Sequence, residues 1–457
     1  MKPSAQVTHI ARGVPVSGAD RLFESSGGFA APALDLDALV WPRRTPVPAL
    51  ETPVAEIMDV LVALGDWLTK DPDGQVERAL AESLRTNPLP AGVLRESFGS
   101  LGKSFSRPVM EFMIDQELGG ADVLDGWRHV TAPSGRTSRV RAFPARSVHV
   151  LAGNAPGVAA LSVLRGALTK GVNLLKLPSN DLHSAPLLLL GLRAVAPDHP
   201  TTRSFSAAYW AGGDTSVESV LFRPQFFDKL VAWGGHGALR SAKEYVGPGF
   251  ELVSFDPKSS ISLVGREAFA SQESLEQAAE AAARDIMLMD QQACAASRFQ
   301  YVEGGVEEAD RFSAALLPRL GVERPLGSAV GNPVPGPIRD EVEGLRDLEP
   351  YARVFGGYEG HGLVVRTQEP VDFHPENKVA NVVPVPSLED AVARADVATQ
   401  SVGVFPAERK EALRDRLVSA GAARVVTLGH VPTVESGLPH DGFYPLQRLV
   451  RWVTDEG

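Results

Sequence analysis

The chain contains a single cysteine, Cys294, among its 457 residues. It stands in the stretch Asp290-Gln-Gln-Ala-Cys-Ala-Ala-Ser-Arg298, between a segment with helical spacing of apolar residues and a segment that alternates like a strand. A loop between two regular elements can hold a reactive side chain and still leave it accessible. Because a thiol is partly ionised near neutral pH, Cys294 is a candidate nucleophile. The alternative is a small buried apolar residue, which is common for a lone cysteine.

The elements around this loop follow from residue spacing. Ser274 and Gln277 have the spacing of a capping box, and the apolar residues after them predict a helix to about Met289. From residue 148 to residue 264, apolar strands alternate with helical segments, which predicts βαβ units and a parallel, doubly wound sheet. Such sheets bind ligands at the carboxyl ends of their strands.

The N-terminal part differs in composition. Residues 1–50 are rich in Pro, Gly and Ala and are expected to be irregular or to extend an edge of the fold, and helices are expected within 52–117. Two extended segments flank Pro133-Ser134-Gly135 and predict a β-hairpin over 126–147. The final residues, 442–453, are expected to end the chain beside this hairpin.

Composition excludes several classes of function. The net charge is −11 and there is no run of Lys or Arg, which argues against a nucleic-acid partner. No apolar run is long enough for a membrane span, and no signal peptide is visible after Met1. One cysteine excludes an internal disulfide framework and a Cys-based zinc site, and no metal site is expected. The sequence therefore predicts a soluble cytoplasmic protein.

Several segments, taken in order, resemble a known family. Gln292, Cys294 and Arg298 with the intervening alanines resemble the active-site segment of the aldehyde dehydrogenase superfamily. The segments 151–156, 176–181, 209–214 and 232–235 extend the resemblance, which runs from about residue 126 to the C-terminus. The whole pattern is similar to one branch, the acyl-CoA reductase family, whose best-known member is the fatty acyl reductase of bacterial bioluminescence (LuxC type).

The resemblance implies an α/β, aldehyde-dehydrogenase-like fold with a Rossmann-type cofactor domain, an α/β catalytic domain and a projecting β-hairpin. Residues 1–125 and 148–264 are expected to form the cofactor-binding domain with its helical N-terminal region, and residues 265–435 the catalytic domain. Residues 126–147 and 436–457 are expected to be hairpin and oligomerisation elements, so a homo-oligomer is expected. An ordinary surface hairpin is the alternative.

The resemblance also assigns catalytic roles. Cys294 is expected to attack an acyl or aldehyde carbon, and Asn154 is expected to share the resulting oxyanion with the backbone N–H of Cys294. Asn154 follows a predicted strand end, and Pro156 is well placed at the start of a helix. The alternative for Asn154 is a turn residue before a proline.

The cofactor residues are assigned in the same way. The segment 148–158 lacks a G-x-G-x-x-G pattern, but the superfamily binds its dinucleotide differently. Lys176 matches the lysine that reaches the adenosine ribose, and Ser179 stands where NAD-selective relatives carry a Glu. Because a carboxylate there would repel a 2′-phosphate and a Ser would not, NADPH is the expected cofactor. A solvated lysine at a strand end is the alternative for Lys176.

Gly234 and Gly235 resemble the turn that opens the helix beneath the pyrophosphate in the superfamily. Such a turn suits pyrophosphate because helix N-termini favour anions. Leu239 replaces a glycine that the superfamily carries five residues later. His236 could contact phosphate or assist catalysis, although a surface His at a helix start is the commoner case.

Two departures from the superfamily concern the base and the nicotinamide. Ser254 stands where the superfamily carries the Glu that acts as general base, and Glu251 lies three residues earlier on the predicted strand. Asn377 replaces the Glu that holds the nicotinamide ribose, so the resemblance leaves Asn377 as the expected ligand there. An acyl reductase does not need the hydrolytic base, because hydride rather than water releases the acyl group.

These observations predict an NADPH-dependent reductase that converts an acyl thioester to an aldehyde through a Cys294 acyl-enzyme. The acyl donor is expected to be acyl-CoA, an acyl carrier or an acyl-transferring partner protein. A hydrolytic aldehyde dehydrogenase and an acyl-phosphate semialdehyde dehydrogenase are alternative enzymes. A non-catalytic binding or scaffold protein with the same fold is the alternative outside enzymology.

Overall fold

The computed structural model describes residues 5–456, without the side chain of His236. Its strands are, in chain order, β1 (Ala5–Gln6), β2 (His9–Ala11), β3 (Val14–Val16), β4 (Arg21–Phe23), β5 (Phe29–Ala31), β6 (Arg128–Thr131), β7 (Thr137–Pro144), β8 (Arg146–Val150), β9 (Val172–Lys176), β10 (Phe205–Ala208), β11 (Lys229–Trp233), β12 (Glu251–Phe255), β13 (Ser259–Val264), β14 (Ser297–Glu303), β15 (Ala352–Gly356), β16 (Leu363–Thr367), β17 (Val379–Val385), β18 (Thr399–Phe405), β19 (Arg424–Thr427) and β20 (Val450–Glu456).

The α-helices are, in chain order, α1 (Leu36–Leu39), α2 (Val54–Lys70), α3 (Gln75–Thr86), α4 (Ala91–Ser100), α5 (Arg107–Leu118), α6 (Asp122–Asp125), α7 (Gly157–Leu168), α8 (Ser184–Val195), α9 (Pro200–Arg203), α10 (Thr215–Leu221), α11 (His236–Lys243), α12 (Gln272–Met287), α13 (Val306–Leu320), α14 (Gly336–Leu345), α15 (Leu388–Ala391), α16 (Lys410–Ala420) and α17 (Pro445–Leu449).

The chain divides into two compact units. The first comprises residues 1–88, 97–256 and 435–457, and the second comprises residues 89–96 and 257–434. The functional names expected for such units, a cofactor-binding and a catalytic domain, stay predictions. The boundary expected at residue 264 falls after β13, which hydrogen-bonds within the sheet of the second unit.

The main sheet of the first unit has the strand order β12-β11-β8-β9-β10-β2-β3. Strands β8 to β12 are mutually parallel, which confirms the doubly wound arrangement predicted from the alternation of strands and helices. Buried apolar side chains on β8, β9, β11, α10 and α11 pack together on one face. Strands β2 and β3 add to the β10 edge in antiparallel orientation, so part of the Pro-rich N-terminal region does extend an edge.

A smaller antiparallel sheet in the same unit has the order β20-β7-β6. Strands β6 and β7 form the hairpin predicted around Pro133-Ser134-Gly135. Strand β20 pairs along β7 from Val450 to Glu456, which confirms that the chain ends beside the hairpin.

The second unit contains a sheet with the order β15-β16-β17-β14-β13-β18-β19. It is parallel except for β15, which pairs antiparallel with β16. Helices α12 and α13 pack on it through a continuous set of buried apolar residues that includes Ala278, Ile286, Phe312 and Leu316. This packing gives the segment before Cys294 a rigid support.

Helix α12 begins earlier than the sequence predicted. Ser271 is its N-cap, and its side chain accepts a hydrogen bond from the backbone N–H of Ser274. The expected cap at Ser274 is therefore wrong, because either serine suits an N-cap by residue type and only Ser271 lies outside the helix. The helix ends at Met287, close to the expected end.

Two absences hold for the part of the chain that the structure describes. No helix there is both long and apolar enough to cross a membrane. The His, Cys, Asp and Glu side chains of residues 5–456 form no group of three or more that could hold a metal ion.

Candidate active site

Cys294 lies in the loop between α12 and β14 and is half-buried. Before it, Met289, Asp290 and Gln291 adopt the left-handed backbone conformation, with φ of 54°, 53° and 66°. Such residues each cost on the order of 1–3 kcal/mol and persist only where surrounding contacts impose the conformation. The contacts that impose it here involve Gln291 and Arg298.

The side chain of Gln291 joins the loop to the central strands of the sheet. Its amide nitrogen donates to the carbonyl oxygens of Ser297 (3.1 Å) and Val379 (2.8 Å), and its amide oxygen accepts from the backbone N–H of Val379 (3.0 Å). Gln291 is fully buried, so each of these hydrogen bonds satisfies a group that water cannot reach. The loop is thereby fixed to β17 and to the start of β14.

The backbone of Cys294 itself is held by a serine from β13. The hydroxyl of Ser260 donates to the carbonyl oxygen of Cys294 at 3.1 Å and accepts from the backbone N–H of Ser401 at 3.0 Å. A single buried hydroxyl therefore ties the cysteine to β13 and β18. This contact sets the position of the Cys294 backbone within the second unit.

Arg298 is the cation associated with this loop. Its guanidinium donates to the carbonyl oxygens of Gln291 (2.9 Å) and Pro375 (2.5 Å), and the residue is 5% exposed. Burial lowers the pKa of Arg298 to about 10, and the negative charges of Glu376 and Cys294 oppose that shift. Arg298 therefore places a buried positive charge at the loop that carries Cys294.

Asn377 supports the loop from the other side. Its side-chain oxygen accepts from the amide of Gln292 at 2.9 Å, and its nitrogen donates to the carbonyl oxygen of Pro333 at 2.8 Å. Asn377 also has a left-handed backbone, with φ of 54°. Its role as a cofactor ligand stays a prediction, while its contacts in the structure join it to the residue two positions before Cys294.

In the first unit, Asn154 lies in the loop that follows β8 and is half-buried. The preceding Gly153 is buried, and a Cβ on it would come within 1.7 Å of the Asn180 side chain. Any larger residue there would require the Asn180 side chain to move. The amide of Asn87 holds the Gly153 carbonyl oxygen at 3.1 Å. Asn154 thus occupies the carboxyl edge expected of it, and its action on an oxyanion stays a prediction.

Lys176 ends β9 at the same edge, and Ser179 lies in the turn after it. Lys176 is 8% exposed, and its side chain forms no hydrogen bond or ion pair with a described residue; its ammonium lies 5.7 Å from the centre of the Tyr209 ring. Burial lowers the pKa of Lys176 to about 8, and Glu218 partly offsets the shift. A buried cation with so little protein compensation fits a site for an anionic group, such as an adenosine phosphate.

Gly234 and Gly235 follow β11, and Gly235 is the N-cap of α11. Gly234 has φ of 155°, which an L-residue rarely adopts. Leu239, which departs from the superfamily pattern, is buried among the apolar residues between α11 and the sheet. The side chain of His236 lies outside the described part of the structure, so its expected role stays a prediction.

Strand β12 carries a serine, Ser254, at the position where a catalytic base was expected. Ser254 pairs with Ala232 near the carboxyl end of this strand. Glu251 begins the strand and forms ion pairs with Lys229 and Arg448. These two cations lower the pKa of Glu251 against the opposing effect of burial. Glu251 is therefore engaged at the end of the strand opposite to the ligand edge.

Sequence reasoning missed a buried polar cluster in the first unit. Arg165 on α7 is 5% exposed, lies 5.6 Å from the Phe255 ring centre and contacts His440 at 3.5 Å. Burial lowers the pKa of Arg165 to about 10, and Glu117 and Asp441 oppose the shift. A charged residue within the apolar sequence of α7 was the signal that could have identified this cluster.

Solved structures identify the class of fold. The chain is similar to a NAD-dependent benzaldehyde dehydrogenase from Corynebacterium glutamicum, with a TM-score of 0.71, 15% sequence identity and coverage of 98% of both chains. It is also similar to aldehyde dehydrogenase 21 from Physcomitrella patens, with a TM-score of 0.73, 14% identity and coverage of 99% and 98%. The predicted aldehyde dehydrogenase fold is therefore confirmed.

Sequence comparison identifies the family within this fold. The model of the family described as acyl-CoA reductase (LuxC) matches residues 49–324 and 359–452. The chain is 30% identical to a long-chain acyl-protein thioester reductase from Photorhabdus laumondii, over 75% of this chain and 70% of the relative. It is 29% identical to a long-chain acyl-protein thioester reductase from Vibrio harveyi, over 77% of this chain and 72% of the relative. The chain belongs to the LuxC acyl-CoA reductase family and is an oxidoreductase of that type.

Proposed function

We propose that this protein reduces an activated fatty acyl group, carried as acyl-CoA or another acyl thioester, to an aldehyde with NADPH and through an acyl-enzyme on Cys294. The observation that carries the proposal is the half-buried Cys294 in a loop fixed by buried hydrogen bonds, beside the guanidinium of Arg298. The relatives named long-chain acyl-protein thioester reductases support a fatty acyl thioester as the substrate.

In the first half-reaction, the Cys294 thiolate attacks the carbonyl carbon of the thioester. The bond to the donor sulfur breaks, and the donor leaves as a thiol after taking up a proton. Negative charge develops on the carbonyl oxygen, where the side-chain amide of Asn154 and the backbone N–H of Cys294 would donate hydrogen bonds. In the second half-reaction, the bond between the acyl carbon and Cys294 breaks, which releases the aldehyde and regenerates the thiolate.

The cofactor supplies the hydride that the acyl carbon gains. Lys176 and Ser179 would hold the adenosine end, Gly234 and Gly235 the pyrophosphate, and Asn377 the nicotinamide ribose. The ammonium of Lys176, which has no ion-pair partner among the described residues, fits an anionic ligand, and Ser179 places no carboxylate against a 2′-phosphate. These two residues favour NADPH over NADH.

The acyl donor and the assembly form part of the proposal. The donor is CoA, an acyl carrier or a partner protein that transfers the acyl group, and all three present a thioester or an equivalent activated acyl group to the same cysteine. The hairpin sheet of β6, β7 and β20 would join copies of the chain in a homo-oligomer.

An assay of NADPH oxidation over acyl-CoAs of graded chain length tests the function. We expect one aldehyde for each NADPH consumed and faster turnover with long chains than with short ones. Production of free acid in place of aldehyde would support the hydrolytic alternative, which Ser254 at the base position disfavours. No turnover with any acyl-CoA, acyl carrier or acylated partner would contradict the proposal.

A thiol-labelling experiment separates the enzyme from a non-catalytic scaffold. We expect Cys294 to react rapidly with iodoacetamide near neutral pH and to be protected by acyl-CoA. A thiol that reacts only after denaturation would identify Cys294 as a buried structural residue and support the scaffold alternative.

A further inference from the structure

The segment of residues 5–31 lies before the family-matched region, which begins at residue 49. Strand β2 within it extends the main sheet of the first unit next to β10, with Ile10 opposite Ala207. The ring of His9 accepts a hydrogen bond from the backbone N–H of Tyr209 at 3.1 Å, immediately beyond the carboxyl end of β10. The N-terminal segment therefore reaches the ligand-binding edge of this sheet.

The rest of the segment forms a small sheet at that edge. Strand β5 pairs with β1 and β4, and it brings Phe29 and Phe23 against Tyr209 with ring centres 4.8 and 4.7 Å apart. Tyr209 also lies near Lys176, whose ammonium is 5.7 Å from the Tyr209 ring centre. The lysine expected at the adenosine ribose is thus connected to the N-terminal sheet through the ring of Tyr209.

Arg21 adds a second cation to this cluster. Its guanidinium carbon lies 5.5 Å from the centre of the Phe23 ring, and its side chain is 43% exposed. Its ion-pair partner is Asp214, with a nitrogen–oxygen distance of 3.8 Å. Exposed pairs of this length contribute little stability, so the guanidinium can turn to a ligand at low cost.

Asp214 is a weak competitor for Arg21. One of its oxygens already accepts from the backbone N–H and the hydroxyl of Ser216 at the start of α10. A phosphate dianion offers more charge and more acceptor oxygens than the remaining carboxylate oxygen. The side chain of Lys176, by contrast, forms no hydrogen bond or ion pair within the described residues, and burial lowers its pKa to about 8. An anion held between the two cations would stabilise both.

We infer that the N-terminal sheet completes the site for the 2′-phosphate of NADPH, with Arg21 as a specificity-determining residue that binds this phosphate together with Lys176. The inference rests on the proposed function, because it takes the adenosine ribose to lie at Lys176. It adds to that function a residue from a segment outside the family-matched region.

Binding of adenosine 2′,5′-bisphosphate and of AMP to the whole protein, measured by calorimetry, tests the inference without requiring turnover. The two ligands differ only in the 2′-phosphate. A charge-assisted hydrogen bond corresponds to roughly tenfold in affinity or more. We therefore expect Arg21→Gln to weaken binding of the bisphosphate about tenfold. The affinity of the variant for AMP should equal that of the wild-type protein.

Two further variants sharpen the test. Arg44→Gln removes the same charge from an exposed position of the N-terminal region and should leave both affinities unchanged. Asp214→Asn keeps a good N-cap for α10 but removes the competing carboxylate, so it should tighten the bisphosphate a few-fold. The two predicted changes have opposite signs, which a general loss of structure would not produce.

The outcomes separate this inference from the proposed function. Wild-type protein that binds the bisphosphate no better than AMP would overturn the inference and the choice of NADPH together. A clear preference for the bisphosphate that Arg21→Gln leaves intact would overturn the inference alone. If the preference depends on Arg21 and no acyl donor is reduced, the inference stands and the proposed reaction fails.

Discussion

The cysteine loop of the second unit and the carboxyl edge of the first sheet satisfy their polar groups in different ways. In the loop, the side chains of Gln291, Arg298 and Asn377 hydrogen-bond to other parts of the same unit. At the edge, Lys176 is buried, and its side chain forms no hydrogen bond or ion pair with a described residue. The protein therefore fixes the position of its candidate nucleophile by itself, whereas the edge retains a cation that is only partly compensated, by Glu218, and that a ligand can neutralise.

The difference has an energetic reason. A nucleophile must lie within about 3–3.5 Å of the carbon it attacks, so its backbone has to be held before substrate arrives. The left-handed backbone of residues 289–291 makes the loop conformation unfavourable by itself, and the buried hydrogen bonds of Gln291 offset this strain. A cofactor site gains affinity when binding relieves the desolvation of a charged group, and Lys176 is such a group.

The largest effect is expected where the loop carries its chemistry. Cys294→Ala should abolish aldehyde formation, because no other thiol is present in the chain. The fold and NADPH binding should be retained, which circular dichroism and calorimetry would check. Residual turnover of more than a few per cent would exclude Cys294 as the nucleophile.

The next largest effect is expected on the lifetime of the acyl-enzyme and concerns Ser254, near the carboxyl edge of the first sheet. General-base catalysis contributes roughly 10²–10⁴-fold. With Ser254 at the base position, the acyl group should therefore stay on Cys294 about that much longer without NADPH than in an enzyme with a carboxylate there. Intact-protein mass spectrometry would follow the adduct, and added NADPH should discharge it as aldehyde.

Two variants test which residue governs this lifetime. Ser254→Glu should shorten it, while Glu251→Gln should leave it unchanged, because Glu251 is engaged with Lys229 and Arg448 at the far end of β12. Loss of the wild-type adduct within seconds as free acid would reveal another base and restore the hydrolytic alternative.

Asn377 could support the cysteine loop through Gln292 or bind the nicotinamide ribose, and a third prediction separates these two roles. Asn377→Ala removes one hydrogen-bond partner of Gln292, and a displacement of about 1 Å at the nucleophile can cost on the order of 10²-fold in rate. We expect Cys294 acylation, measured in the absence of cofactor, to slow by about that factor. Asp372→Ala, an exposed change in the same connection, should have no effect.

The same variant tests the expected cofactor role. If Asn377 acts mainly on the nicotinamide ribose, Asn377→Ala would raise the KM for NADPH and leave cofactor-free acylation at the wild-type rate. That result would show that the contact with Gln292 is dispensable.

The cofactor preference should respond to a change at Ser179. A carboxylate near Lys176 would repel the 2′-phosphate, so Ser179→Glu should lower the ratio of kcat/KM for NADPH to that for NADH about tenfold. Ser179→Ala is the matched control and should keep the preference. Equal kcat/KM values for the two cofactors in the wild-type protein would contradict the assignment of NADPH.

Local patterns were sufficient for the elements that carry the site. Alternating strands and helices predicted the parallel strands β8 to β12, and the Pro-Ser-Gly turn predicted the β6–β7 hairpin. The strands of the N-terminal segment were not predicted individually, because β1 to β5 have two or three residues each and show no usable period. Their pairing depends on contacts with β10 and with one another.

The support of Cys294 could not be read from local sequence for a related reason. Ser260 lies 34 positions from Cys294, and Asn377 lies 85 positions from Gln292. Each of these residues has an unremarkable neighbourhood in the chain, and its role arises only when the strands of the second sheet align. The family resemblance suggested a cofactor role for Asn377 and did not reveal its contact with the cysteine loop.

The smallest expected effect concerns stability and the buried cluster of the first unit. Glu117 is 1% exposed; burial raises its pKa to about 7, while the backbone N–H of Leu446 and the charge of Arg165 oppose the shift. Its folded pKa thus lies above the ordinary value of about 4.5. Between these values the folded protein binds more protons than the unfolded chain, so the free energy of unfolding should fall as the pH rises from about 4.5 to 7.

Glu117→Gln should reduce this dependence by on the order of 1 kcal/mol, because the amide does not titrate but can still accept from Leu446. Urea denaturation at several pH values between 5 and 8 would measure it, with the exposed Glu111→Gln on the same helix as the control. Some slope should remain, since burial also raises the pKa of Asp285 to about 7. Parallel curves for wild type and Glu117→Gln would mean that Glu117 is ionised in the folded protein throughout this range. The charge of Arg165 and the hydrogen bond from Leu446 would then outweigh desolvation, and the first unit would hold a buried carboxylate that the protein itself compensates, unlike the ammonium of Lys176.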